Sequence, residues 1–283
     1  MHDLLAVPAV DYLLIGHLSK DLTPNGPSLG GTAAYAGLTA RALGLRVGVV
    51  TSAGPDLDLG RLQDLYLECL PSPISTTFEN RYTPGGREQW IHGRAVTLGC
   101  EAVPPPWRSA PIVHLAPIAA EVDPALVHCF SAGLIGLTPQ GWMRAWDESG
   151  RVHPIPLDTA DTLLPAAGAV VISLEDVDGD EAMIEGLADQ CRLLVVTEGR
   201  GGARLYWNGD RRRMPAPQVP EVDPTGSGDI FAAAFFIRLY LTRDPWEAAR
   251  FANHLASASV TRRGIDGIPR PEEIEAATVQ VFR

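Results

Sequence analysis

Glu221-Val222-Asp223-Pro224-Thr225-Gly226-Ser227-Gly228-Asp229-Ile230-Phe231 places small residues and a carboxylate directly before the apolar run Phe231–Leu239. Glycines permit a tight turn whose N–H groups converge on an anion. A helix beginning here adds its own unpaired N–H groups and the positive end of its dipole. Asp229 is out of place in a simple anion cradle, because a second negative charge beside a phosphate is costly. It fits if it takes part in chemistry, as a base or through a cation, so the stretch points to phosphoryl transfer. Gly226, Ser227 and Gly228 are then the backbone donors and Asp229 the base. The competing reading makes Asp229 an ordinary first-turn helix residue and the glycines a turn.

Outward from this loop the chain has an α/β rhythm. Tyr12–Ile15 is a continuous apolar run, expected as a buried strand that ends at Gly16. Gly30-Gly31-Thr32 precedes a helical stretch over 33–43, Gly44 stops it, and 46–50 reads as the next strand. Strand, helix and strand in that order argue for a parallel sheet with right-handed crossovers. A helix is expected over 59–67. Residues 77–82 and 89–96, separated by Pro84-Gly85-Gly86, predict a hairpin too polar on one side for a central strand. It is expected to project from the sheet as a lid or contact surface. Further strands are expected at 111–115, 126–130, 169–174 and 193–197, helices at 141–147, 180–189 and 245–259, and a hairpin through 203–207 and 212–216.

The 283 residues suffice for one large core, and 46% are apolar. With 23 basic against 34 acidic residues the formal charge is −11, which opposes attraction to nucleic acid or an anionic membrane. No nucleic-acid or membrane partner is therefore expected. Arg211-Arg212-Arg213, the one basic cluster, reads as a solvated turn. Cys69, Cys100, Cys129 and Cys191 lie far apart without a CxxC pair, so neither a zinc site nor a redox motif is expected. Together with an N-terminus lacking a basic leader region and no apolar run of about 20 residues, this suggests a reduced, cytoplasmic protein. His17, His92, His114 and His153 share no ligand spacing and stay unassigned.

Neither GxxxxGK[ST] nor GxGxxG occurs at the two glycine loops, which argues against P-loop NTPases and dinucleotide-dependent oxidoreductases. Val222–Asp229 instead resembles the C-terminal DTxGxGD signature of the PfkB, or ribokinase-like, carbohydrate kinases. Gly30-Gly31 with the following helix and Leu43-Gly44 resembles that family's N-terminal signature. Val195-Val196-Thr197-Glu198-Gly199 with Gly201 resembles its nucleotide-side element, and Arg263-Gly264 through Ile268-Pro269 a common tail. The resemblance runs from about Asp11 to Glu273.

It implies an α/β fold, a ribokinase-like three-layer α/β/α sandwich with a small β lid, as a single domain over 1–283 with lid elements at about 17–29 and 76–97. The activity implied is ATP-dependent transfer of the γ-phosphate to a hydroxyl of a small sugar, cyclic polyol or nucleoside. ATP and Mg²⁺ are the expected cofactors, a monovalent cation is left open, and so is monomer or homodimer. Asp229 becomes the base and Gly226–Gly228 the anion hole. Thr197, Gly199, Gly202, Thr225, Gly226, Gly228 and Asn253 are implied on the nucleotide side, with helix surface the alternative for Asn253. Asp21, Gly30 and Gly31 are implied on the acceptor side, Asp21 reaching vicinal hydroxyls.

Tyr35 stands where the family often carries an asparagine, which argues against ribose and leaves open a stacking ring or simple core packing. Ser173-Leu174-Glu175-Asp176 stands at the family's NxxE metal motif, so Asp176 or Glu175 is expected near Mg²⁺. Arg81, Arg87 and Arg94 either reach a charged acceptor from the lid or serve solubility. Inositol-kinase-like features around Ser28–Gly31 bring a cyclic polyol forward. The alternative is a catalytically weak nucleotide- or sugar-binding homologue acting as a sensor or interaction module.

Overall fold

The computed structural model describes residues 7–24, 26–83 and 86–278. Met1–Leu5 and Pro84-Gly85, together with the Arg87 side chain, lie outside the described residues. In chain order the elements are β1 (Tyr12–Ile15), β2 (Ser19–Thr23), β3 (Gly26–Gly30), α1 (Thr32–Ala42), β4 (Val47–Ala53), β5 (Tyr66–Pro71), β6 (Thr76–Thr83) and β7 (Gly86–Gly93). They continue with β8 (Ile112–Leu115), β9 (Leu134–Leu137), β10 (Arg144–Trp146), β11 (Val152–Pro154), α2 (Ala160–Ala166), β12 (Ala169–Ser173), α3 (Glu181–Ala188) and β13 (Leu193–Thr197). The last are β14 (Ala203–Trp207), β15 (Asp210–Met214), α4 (Ser227–Thr242), α5 (Pro245–Ser259) and α6 (Pro271–Ala277).

The main sheet has the order β15-β14-β13-β12-β9-β8-β1-β4-β5, parallel from β13 to β5 and antiparallel at β14 and β15. Strands buried on both faces need apolar residues at every position, as in β1. Tyr12 and Leu14 join the cluster beneath α1, α4 and α5, while Leu13 and Ile15 join the cluster on the opposite face with α2 and α3. The three layers follow. Apolar on most sides, α4 is the central helix; its Phe231, Phe235 and Phe236 are buried, and Phe231 stacks on Phe235 at 5.9 Å.

A second sheet, β3-β2-β6-β7, forms the lid. The hinge between body and lid is polar but satisfied. The buried Glu121 carboxylate accepts from the N–H groups of His17 (2.9 Å), Ile118 (3.0 Å) and Ala119 (2.6 Å). The His17 ring bridges Thr76 Oγ1 at 2.6 Å and the Val96 carbonyl at 2.8 Å. Since Val96 O only accepts, Nε2 carries the proton and Nδ1 accepts from Thr76. Burial holds His17 below the usual imidazole range. His92 pairs with Glu79 on the lid and His114 sits within the sheet between Tyr12 and Thr138, so the histidines do not gather.

Four expectations are corrected. The helix expected over 59–67 is a single 3-10 turn at Gly60–Leu62, followed by the edge strand β5, whose half-exposed side chains blur its pattern. Residues 126–130 form no strand. Asp123 caps and Pro124 opens a 3-10 turn through His128, and the strand falls at β9 instead. The helix expected over 141–147 is a 3-10 turn through Met143 and then β10, because Asp147 accepts from Ser149 and Arg151 N–H groups and turns the chain into β11. Cys100 and Cys129 meet as a disulfide across a separation of 29 residues, which spacing alone did not show. No helix among the described residues is long and apolar enough to cross a membrane.

Truncation at the centre of α4 gives a direct check on the core. Phe235→Ala is expected to cost about 3–5 kcal/mol, read from the shift of the urea unfolding midpoint at unchanged m-value.

Candidate active site

In open parallel sheets ligands collect beyond the carboxyl ends of the strands, where the strand order reverses. That reversal lies at β1, flanked by β8 and β4. A cleft of about 350 Å³ opens there, between the lid and the N-termini of α1 and α4.

Both helices begin on glycine with positive φ: Gly31 at 86° before α1 and Gly226 at 77° before α4. Neither offers a capping side chain, so the two positive helix ends are left to the cleft. Glycine is required for a second reason at each. A Cβ on Gly226 would run into the Tyr35 ring, and one on Gly31 would lie 2.7 Å from the His17 carbonyl. Asp223 braces the loop by accepting from Thr225 N at 3.0 Å and Gly264 N at 2.9 Å. Ser227 N donates to Pro224 O at 3.1 Å and so is taken up within the loop.

Asp229 lies in the first turn of α4, half-buried, and its Oδ1 accepts from Thr32 Oγ1 at 2.7 Å. Burial pushes its carboxyl up to about 6; the Thr32 hydrogen bond and Arg144 oppose the rise, while Asp21 and Asp176 add to it. A base poised near neutrality suits proton transfer.

The expected residues meet from distant parts of the chain. Asp21, Gly31, Tyr35, Thr197, Gly199, Gly202, Thr225 and Asn253 all line this cleft. Asp21 accepts from Ser19 Oγ at 2.7 Å. Gly30 lies outside the lining: paired across from Ser19, it leaves room for the Asp21 carboxylate, which a Cβ would overlap. Tyr35 serves both readings, buried beneath Gly226 and edging the cleft, and burial raises its hydroxyl far above the usual range. Asn253 is buried rather than on the helix surface, and its Nδ2 donates to Met214 O at 2.8 Å.

The two acidic candidates part company. Glu175 lines the cleft, whereas Asp176 accepts from Ser173 N at 2.8 Å and Gln140 Nε2 at 3.2 Å. Of the lid arginines, Arg81 pairs with Glu79 and stacks on Trp90, and Arg94 donates to the carbonyls of Ala119 and Ala120. Neither lines the cleft. Sequence reading missed Thr32, although it follows the glycine pair, and it missed Asn80, Gln89, Gln140 and Arg144, for which no short motif existed.

Comparison with known proteins fits this geometry. Residues 162–272 match the pfkB family carbohydrate kinase. An inositol 3-kinase from Zea mays is 38% identical over 129 residues, covering 44% of this chain and 33% of that protein, so the matched stretch spans a third of its length. A cytidine kinase from Thermococcus kodakarensis is 26% identical over 80% of this chain and 87% of its own. The fold superposes on a pyrophosphate-dependent kinase in the ribokinase family, complexed with a pyrophosphate analog and myo-inositol. The TM-score is 0.79 at 18% identity, over 94% of this chain and 99% of that one. Residues 162–272 are thus similar to the pfkB carbohydrate kinases, and the fold is that of the ribokinase-like kinases.

The raised Asp229 carboxyl has a stability consequence with a definite sign. Its folded value of about 6 exceeds the unfolded one of 3.8, so the penalty on the folded state builds up between about pH 4 and pH 6, is full above 6 and is absent below about 4. At roughly 1.4 kcal/mol per unit, reduced because the cleft is partly wet, Asp229→Asn should stabilise the protein by about 1–2 kcal/mol at pH 8. Urea unfolding at pH 8 and pH 4 checks this; the gain should vanish at pH 4.

Proposed function

We propose that this chain is an ATP- and Mg²⁺-dependent kinase that phosphorylates a hydroxyl of a small neutral polyol, with a cyclic polyol of the inositol type as the first candidate. One observation carries the reading: the Asp229 carboxylate, held by Thr32, stands at the glycine-started N-terminus of α4 and shares a cleft with Asp21. The similarity to an inositol 3-kinase supports the acceptor class.

Asp21 receives vicinal hydroxyls of the acceptor with its two oxygens. Asp229 orients the reacting hydroxyl and takes its proton as the new P–O bond forms. The Gly226 and Gly228 N–H groups hold the transferring phosphoryl oxygens, where donors gain strength as charge redistributes. Thr197, Gly199, Gly202 and Asn253 flank the nucleotide, with Val219, Ala256 and Val260 as apolar walls.

No group of three or more His, Cys, Asp or Glu side chains able to hold a metal occurs among the described residues. Mg²⁺ keeps several waters and binds mainly through phosphates, so it asks for few protein ligands. Glu175, which lines the cleft, would hold its water shell, and the oxygen-only chemistry fits Mg²⁺. Bound there, the ion supplies charge neutralisation on the donor phosphates.

A coupled ADP-release screen over inositols, sugars and nucleosides, repeated with pyrophosphate as donor, tests the proposal. Turnover with ATP and at least one polyol is expected. A chain that binds nucleotide but turns over no acceptor is instead a sensor or interaction module. Asp229→Asn should lower kcat by about 10²–10⁴ with ATP affinity retained by calorimetry. Wild-type kcat/KM should fall about tenfold per unit below pH 6, as Asp229 takes up its proton.

A further inference from the structure

Arg144 is the arginine that the fold buries in the cleft wall. Its side chain is 12% exposed, against 66% for Arg200, which turns to Glu221. It belongs to the β10–β11 hairpin. Trp142, two residues earlier, is pinned by its indole N–H to Val122 O at 2.8 Å. Asp147 closes the turn.

This hairpin also braces the lid. Ile91 N donates to Gly150 O at 2.8 Å, Trp90 bridges to Arg151, and Arg151 pairs with Glu88 at 2.7 Å. Gly150 has φ 82°, and a Cβ there would overlap the Ile91 carbonyl. The hairpin and lid strand β7 therefore hold one fixed spacing.

Within the cleft, Arg144 Nη1 donates to Gln89 Oε1 at 3.2 Å, and Gln89 Nε2 donates to Asn80 Oδ1 at 3.0 Å. Arg144 Nη2 lies 3.5 Å from Asp176 Oδ1, close enough for charge pairing and too long for a strong hydrogen bond. A polar chain thus runs from the lid to the turn after β12. Asp21, Glu175 and Asp229 also line this cleft, in a protein of net charge −11. An entering phosphoryl group meets several carboxylates and one buried guanidinium. A neutral polyol offers that cation hydroxyl acceptors but no countercharge. A planar fork of N–H donors matches phosphoryl oxygens.

We propose that Arg144 is a catalytic residue whose guanidinium binds the oxygens of the phosphoryl group in transfer, in the cleft it shares with Gly226 and Gly228 and in a position set by the lid through Gln89. The inference rests on the kinase reading above. Arg144 makes and breaks no covalent bond: the acceptor oxygen bonds phosphorus, the bond to the leaving diphosphate breaks, and the acceptor proton passes to Asp229.

The test compares full-length wild type, Arg144→Gln, Arg144→Ala and Gln89→Ala, using ATP and the acceptor found by the screen. Arg144→Gln should lower kcat by about 10²–10³ with the acceptor KM within about threefold and the melting temperature unchanged. Gln89→Ala should lower kcat by a smaller factor, about 3–10, because it loosens Arg144 without removing it. Millimolar guanidinium should restore Arg144→Ala at least about tenfold, a rescue that a merely structural arginine would not show. The proposal is overturned if Arg144→Gln keeps kcat within threefold, if it raises only the acceptor KM, or if guanidinium restores nothing. Wild-type turnover alongside such results would overturn this inference alone; absence of wild-type turnover would overturn the kinase reading with it.

Discussion

The hydrogen bond from Thr32 to Asp229, across 197 residues of sequence, is the contact on which the site depends. It joins the first turns of α1 and α4, two helices that begin on glycine and lend their positive ends to the same cleft. A carboxylate is tolerated there because the hydroxyl and the helix ends favour its ionised form, while burial works against it. That balance leaves Asp229 near neutrality, responsive to whatever charge enters beside it. The core beneath is built to hold the junction still: α4 is packed around its phenylalanines, and Tyr35 from α1 lies directly against Gly226.

The lid side of the cleft is held differently. Backbone rigidity fixes the glycine turn before α4, whereas the lid is joined to the body through polar groups at the hinge. Glu121, His17 and Thr76 exchange hydrogen bonds with backbone from several crossing segments. A buried carboxylate is affordable there because three N–H groups converge on it. The lid is further tied by the β10–β11 hairpin, so its position relative to the cleft is shared between the hinge and Arg144.

Much of this was legible in the residues. β1 and β13 read as buried strands because a strand covered on both faces must be apolar throughout. The turn and helix start before α4 were legible because glycine permits the positive φ that opens the helix. The failures have a common cause. Residues 59–67 and 126–130 have apolar content that suits helix and strand alike, and short turns set by Asp58, Asp123 and Pro124 decided them. The segment 141–147 looked helical until the Asp147 turn folded it back. Gly30 makes room for the Asp21 carboxylate, and Asp176 caps the turn after β12.

By itself the sequence determined the α/β class, the strand-buried core, the glycine turn before α4 and the resemblance to the pfkB carbohydrate kinases. These depend on local chemistry: periodicity, φ-permissive glycines and the order of a few motifs. Only the tertiary structure decided that Thr32 holds Asp229, that Glu175 rather than Asp176 lines the cleft, that Cys100 meets Cys129, and that Arg144 enters from a hairpin bracing the lid. Each is a meeting of side chains separated by many residues or by a rotation about one turn. Such meetings are set by how layers pack and which way a strand end faces, and no local pattern of residues encodes them.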